Sequence, residues 1–116
     1  MLREFMLLMK KQFYEAIRSG RKTTTLRFWR WAHMRPGSVH SVRGLGLLRV
    51  DSVEPIQPQD LTDDDARADG FADLRELTRA LEDIYSADYR AKRKLFRVRF
   101  TYLSAPPTPA RTAPGD

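Results

Sequence analysis

Hydrophobic and polar positions repeat along this chain with two different periods, and the changes of period mark the elements. Phe13 and Ile17 lie four residues apart with Ala16 beside them, which predicts an amphipathic helix over 11–19. Gly20 follows, and glycine adopts the left-handed cap of a helix without a Cβ penalty. From 23 to 29 the period falls to two. Thr24, Leu26 and Phe28 alternate there with Thr23, Thr25, Arg27 and Trp29, the pattern of a strand. Pro36-Gly37 predicts a turn, with strands over 38–43 and 45–53, the second placing Leu48 and Val50 on one face. Residues 4–9 fit either a strand or the start of the first helix.

The middle of the chain returns to helical spacing. Thr62 is placed to cap a short helix over 63–68 that Gly70 ends. Asp73 and Glu76 have capping-box spacing, and Leu74, Leu77, Leu81 and Ile84 then share one face. A basic hinge over 90–94 leads into a last strand with Phe96, Val98, Phe100 and Tyr102 inward and Arg97, Arg99 and Thr101 outward. These elements predict a small α+β domain, a strongly curled mixed sheet or open barrel with two or three flanking helices. One domain is expected over 1–103. Four of the seven prolines fall in 104–116, so that stretch is expected to be a disordered Pro-rich tail.

Composition narrows the class. A chain of 116 residues has room for a single modest core. No apolar run nears the roughly 20 residues that span a bilayer, and the start lacks the basic-first order of a signal peptide. The absence of cysteine excludes disulfides and thiol chemistry, which fits a reducing, cytoplasmic setting. With only His33 and His40 available, neither a metal site nor a cofactor is expected, and the pair is assigned to surface or hairpin positions. The run Asp63-Asp64-Asp65 lacks the spacing of a calcium loop and is assigned to a solvated helix N-terminus.

Charge changes the picture more by its order than by its sum of +6. Between Arg18 and Arg49 there are eight basic residues and no acid; from Asp51 to Asp83, eleven acids stand against three arginines. From Asp88 to Arg99 six basic residues stand against Asp88 alone. Such segregation points to one surface addressing a polyanion and another left to solvent.

The densest chemistry lies at Gly20-Arg21-Lys22-Thr23-Thr24-Thr25-Leu26-Arg27, followed by Phe28-Trp29-Arg30-Trp31. Cations, hydroxyls and amides exposed by a glycine turn suit a phosphate or a polar base edge. Trp29 and Trp31, two apart, share a face on an extended segment and can stack bases there, at about 1–3 kcal/mol per base. Packing of both tryptophans into the core is the other reading. Arg21, Lys22, Arg27, Trp29, Arg30, Trp31, Arg35 and Arg93 are therefore the candidate nucleic-acid contacts.

A helix ending in Ser19-Gly20-Arg21-Lys22-Thr23, a Thr-x-Arg strand, Arg35-Pro36-Gly37, Asp69-Gly70-Phe71 and the strand Leu95-Phe96-Arg97-Val98-Arg99-Phe100 together resemble the ASCH domain. The resemblance covers roughly 13–102. It implies the PUA-like fold, a small β-barrel with flanking helices, and binding of RNA. One branch of that family comprises small bacterial amidohydrolases acting on N4-acetylcytidine, with a lysine, a threonine three residues on and a distant glutamate as the proposed catalytic set. Lys22 and Thr25 match the first two positions, and Asp69 matches the third by charge, with a side chain shorter by about 1.5 Å. The resemblance thus implies catalysis by Lys22, Thr25 and Asp69, provided that Lys22 lies in the turn and not the strand.

The expected function is binding of RNA, single-stranded nucleic acid or a modified nucleoside in a basic, Trp-containing cleft. The alternative is an amidohydrolase acting on an acylated cytidine. A third reading makes the acidic helix over 73–85 a protein-docking face.

Overall fold

Two bulges shape the sheet around which the computed structural model, describing residues 9–104, is built. Its elements run in the order α1 (Tyr14–Arg18), β1 (Thr24–Trp29), β2 (Val39–Val42), β3 (Gly46–Ile56), α2 (Asp63–Ala68), α3 (Leu74–Ile84), α4 (Ala87–Ala91) and β4 (Lys94–Ser104). Single 3-10 turns at Lys11–Phe13 and Pro58–Asp60 precede α1 and α2. The four strands are antiparallel in the order β1-β4-β3-β2, so the last strand of the chain lies inside the sheet. In β3, Asp51 is the extra residue between Val50, opposite Phe100, and Ser52, opposite Arg99. A second irregularity falls between Leu47 and Leu48. Bulges of this kind bend a strand and increase its twist. The sheet is a strongly curled half-barrel in a mixed α+β fold.

The curl makes two cores. Ile17, Trp29, Leu45, Leu48, Val50, Phe96, Val98 and Phe100 fill one side of the sheet. Leu26, Phe28, Leu61, Ala66, Leu77, Leu81 and Leu95 join the other side of the sheet to α2 and α3. Each fully buried aliphatic side chain contributes about 1.5–3 kcal/mol. The alternation expected in β1 holds, but both of its faces are covered: Leu26 and Phe28 belong to one core and Trp29 to the other.

The helix starts follow the local sequence closely. Thr62 and Asp65 form a reciprocal capping box on α2. Asp73 caps α3 by accepting from the Glu76 amide, while the Glu76 carboxylate turns to the Ala72 amide at 2.7 Å. At the end of α2, the Phe71 amide donates to Ala66 O and the Gly70 amide to Arg67 O, the two bonds of a Schellman motif. Gly70 has φ +95° there.

Three expectations need correction. Four helices flank the sheet in place of two or three, because Ser86 caps Ala87–Ala91 where a hinge was expected. Ile84 shares the face of Leu77 and Leu81 but, as the last residue of α3, is 53% exposed where they are buried. Asp65 is not a solvated helix end: it accepts from Arg97 Nη1 at 2.7 Å. The acidic block thus folds against the last basic strand, where Arg97 also donates to Glu54 at 3.0 Å. The stretch expected as a Pro-rich tail lies outside the described residues beyond Ser104, as do residues 4–8. Among the described residues no helix is long and apolar enough to cross a membrane.

Candidate functional site

The connection between α1 and β1 is held by its own backbone. The Lys22 amide donates to Ala16 O, the Thr23 amide to Ala68 O, and Thr23 O accepts from the Phe100 amide, all at 2.8–3.0 Å. Gly20, at φ +84°, turns the chain into this connection. Lys22 therefore lies ahead of the strand, as a meeting with Thr25 requires, and its side chain is directed inward. It is 3% exposed, and Asp69 is 4% exposed.

The Lys22 ammonium makes an ion pair with Asp69 Oδ1 and donates to Thr24 O at 2.8 Å and Asp69 O at 2.7 Å. The Phe13 ring closes the remaining side, 4.8 Å from Nζ to centroid. The Schellman motif leaves Asp69 as the C-cap of α2, so one residue offers both its carbonyl and its carboxylate to the same cation. Burial is the largest influence on both groups, pushing the lysine below and the aspartate above their ordinary values, while their mutual attraction opposes each shift. Three oxygens surround the one nitrogen, an arrangement whose hydrogen bonds an ammonium satisfies with its three N–H donors.

Thr25 and Arg27 stand beside this pair. Arg27 Nε donates to Thr25 Oγ1 at 3.1 Å. Lys22, Thr25, Arg27 and Asp69 line one pocket of about 360 Å³, walled by Phe13, Phe71, Leu77, Leu81 and Tyr85 among others. Burial raises the Tyr85 hydroxyl above its usual value, with the Arg27 guanidinium opposing. An apolar slot with a few polar groups at one end is the usual form of a small-ligand site.

The tryptophans do not form a pair on one face. β1 ends at Trp29, which packs against Phe96 in the first core and is 6% exposed. Trp31 lies past the strand end and is 61% exposed. The expectation that Trp29 stacks bases is corrected for that reason: its ring is already covered. His33, half-buried, lies between them, edge-on to Trp29 and stacked on Trp31. Arg30 and Arg93 join Trp31 and His33 around a smaller groove. Arg21 and Arg35 are exposed and line neither cavity. The contiguous basic stretch is also dispersed by the fold: Arg18 binds Gly44 O and Arg49 binds Asp51.

The aromatic walls Phe13, Phe71, Tyr85 and Tyr89 were missed at sequence level. The four-residue spacing of Tyr85 and Tyr89 was the available signal; their rings stack with centroids 5.3 Å apart. Among the described residues, no group of three or more histidine or carboxylate side chains gathers as a metal site.

No family model matches the chain, and no curated protein matches it. Solved structures do. The hypothetical protein PH0355 superposes with a TM-score of 0.69 at 14% identity, over 83% of this chain and 95% of its own. Protein PF0455 from Pyrococcus furiosus gives 0.66 at 17% identity, over 84% and 94%. The ASCH domain from Lactobacillus crispatus JV V101 gives 0.65 at 18% identity, over 76% and 68%. The chain has the fold of an ASCH domain.

Proposed function

We propose that this protein binds RNA, taking one base into the pocket of Lys22, Thr25, Arg27 and Asp69. The observation that carries the reading is the pocket itself: about 360 Å³, apolar and aromatic along its walls, with cations and a hydroxyl at its polar end. Arg27 and Thr25 supply the hydrogen bonds to a base edge, and the buried Lys22–Asp69 pair fixes the frame that holds them. The exposed cations Arg21, Arg30 and Arg35, with half-buried Arg93, supply phosphate contacts. Trp31, not Trp29, has a ring exposed to a base.

Hydrolysis of an acylated cytidine is the second reading, favoured by the convergence of Lys22, Thr25 and Asp69 on one pocket. Catalysis there needs a neutral Lys22 to take the proton of Thr25 as its oxygen attacks an amide carbonyl. All three donor directions of Lys22 are occupied by Thr24 and Asp69, and its ammonium has no hydrogen bond to Thr25. That arrangement favours binding over turnover.

The test is fluorescence anisotropy with a labelled single-stranded RNA across a salt series, beside an acetate-release assay on N4-acetylcytidine. Affinity is expected to fall with salt at a log–log slope of about −0.7 per phosphate contact, and Arg27→Met to weaken binding. No acetate release is expected. A salt-insensitive affinity removes the RNA reading, and release that Thr25→Val abolishes replaces it with the hydrolase.

A further inference from the structure

Beyond the pocket, a second cavity of about 120 Å³, on the scale of a single nucleobase, lies at the end of β1. Its walls are Trp29, Arg30, Trp31, His33, Tyr89 and Arg93, with no acidic residue among them. Trp31 has one ring face on His33, at 5.5 Å between centroids and 29° between planes, and is otherwise largely exposed. An exposed indole backed by a second ring is a platform already ordered before a ligand arrives.

The two cavities are joined by an aromatic bridge. Tyr85 lines the pocket and Tyr89 lines the groove, and their rings stack at 5.3 Å. The Arg93 guanidinium lies over Tyr89, 3.5 Å from its centroid, and Arg93 Nη1 donates to Tyr89 O. Arg93 is thereby held by stacking and by one hydrogen bond, with further N–H groups of its fork available beside the groove. Arg93 also borders a wider depression on its other side, where Arg90, Lys94 and Arg97 stand with Asp60 and Asp65.

We propose that this groove is a second subsite, binding the nucleotide that flanks the base held in the pocket: the base stacks on Trp31, and Arg93 and Arg30 contact the linking phosphate. The full ligand is then a single-stranded RNA of at least two nucleotides, of which a free nucleoside fills the pocket alone. This rests on the pocket's taking a base, and its test separates the two claims. A base buried in the pocket has left its stack, which costs least when the strand is already single.

The experiment measures three probes on the full chain: free cytidine by calorimetry, and hexauridylate and inorganic polyphosphate by competition against a labelled hexanucleotide. Trp31→Ala is expected to weaken hexauridylate binding about 5- to 150-fold, the loss of one base–aromatic stack, with cytidine affinity unchanged. Trp31→Phe is expected to recover most of that affinity. Arg93→Gln is expected to lower oligonucleotide affinity and reduce its salt dependence by about one phosphate contact. Polyphosphate is expected to compete weakly. Hexauridylate affinity unchanged in Trp31→Ala, with cytidine still bound, overturns the second subsite and leaves the pocket standing. Trp31-dependent oligonucleotide binding without any cytidine binding overturns the pocket and leaves the groove as a base site by itself. Polyphosphate competing as well as hexauridylate overturns stacking in favour of charge alone. The melting temperature of Trp31→Ala is expected to match wild type.

Discussion

Lys22 and Asp69, 47 positions apart in the chain, meet as a buried ion pair that ties the connection before β1 to the end of α2. Removing one partner of such a pair strands the other charge away from water, which costs about 3–5 kcal/mol. Lys22→Met and Asp69→Leu are each expected to unfold at much lower urea concentration than wild type, and the double substitution to lose less than the two single losses together. A lysine kept only for chemistry or phosphate binding leaves the urea midpoint unchanged when it is replaced.

The same pair gives a pH test. In Lys22→Met the Asp69 carboxyl loses the attraction that opposed its upward shift. A folded carboxyl raised above its unfolded value holds a proton that the unfolded chain releases, so stability falls as pH rises from the ordinary carboxyl value toward the folded one. The deficit of Lys22→Met is therefore expected to be smaller in acid than at neutral pH. Urea midpoints for wild type and variant between pH 4 and 7 check it; a constant difference contradicts it.

Trp29 and Trp31 are expected to separate cleanly in stability. Trp29→Ala removes a ring from the core it shares with Phe96 and is expected to cost about 3–5 kcal/mol. Trp31→Ala is expected to change stability by no more than about 0.5 kcal/mol. Acrylamide is expected to quench Trp31 fluorescence and spare Trp29, measured in single-tryptophan variants.

Gly70→Ala is expected to destabilise by about 1–2 kcal/mol, because φ +95° there is left-handed. A Cβ at this position also comes to 3.3 Å from Lys22 Cδ and 3.4 Å from Phe13 Cδ1, so the pocket wall must shift as well. Thermal melting reads the first effect, and weakened ligand binding the second.

Glu54 and Asp51 set an acid limit. Hydrogen bonding from Arg97 holds the Glu54 carboxyl below its ordinary value, and hydrogen bonding from Thr101 does the same for Asp51. For groups lowered on folding the unfolded chain binds more protons, so their stabilisation is complete above the unfolded value and is lost as pH falls through the folded one. Glu54→Gln is expected to flatten stability against pH below about 4.5, the ordinary glutamate value, with added salt diminishing the difference from wild type.

Local physics was legible in the sequence. The Thr62 cap, the end of α2 at Gly70, the turn at Gly37 and the inward face Phe96, Val98 and Phe100 each follow from residues within a few positions of one another. The dense run from Gly20 to Arg27 also marked one side of the pocket, and Asp69 its other side by resemblance.

Contacts distant in sequence were decided by the tertiary structure. Alternation in β1 separates two faces but does not say that both are covered; α2 and α3 cover the face of Leu26 and Phe28, and the core that gathers Ile17, Met34 and Phe96 buries Trp29 on the other. The linear blocks of charge gave no warning that Asp65 and Glu54 would be bound by Arg97, because ion pairs form between strands and helices that the fold brings together. Lys22 shows the division most plainly. Its residue type and its place in a turn belong to the sequence, but its three acceptors come from Thr24 beside it and Asp69 across the fold. A side chain's chemistry is set by its neighbours in space, and periodicity carries only its neighbours along the chain.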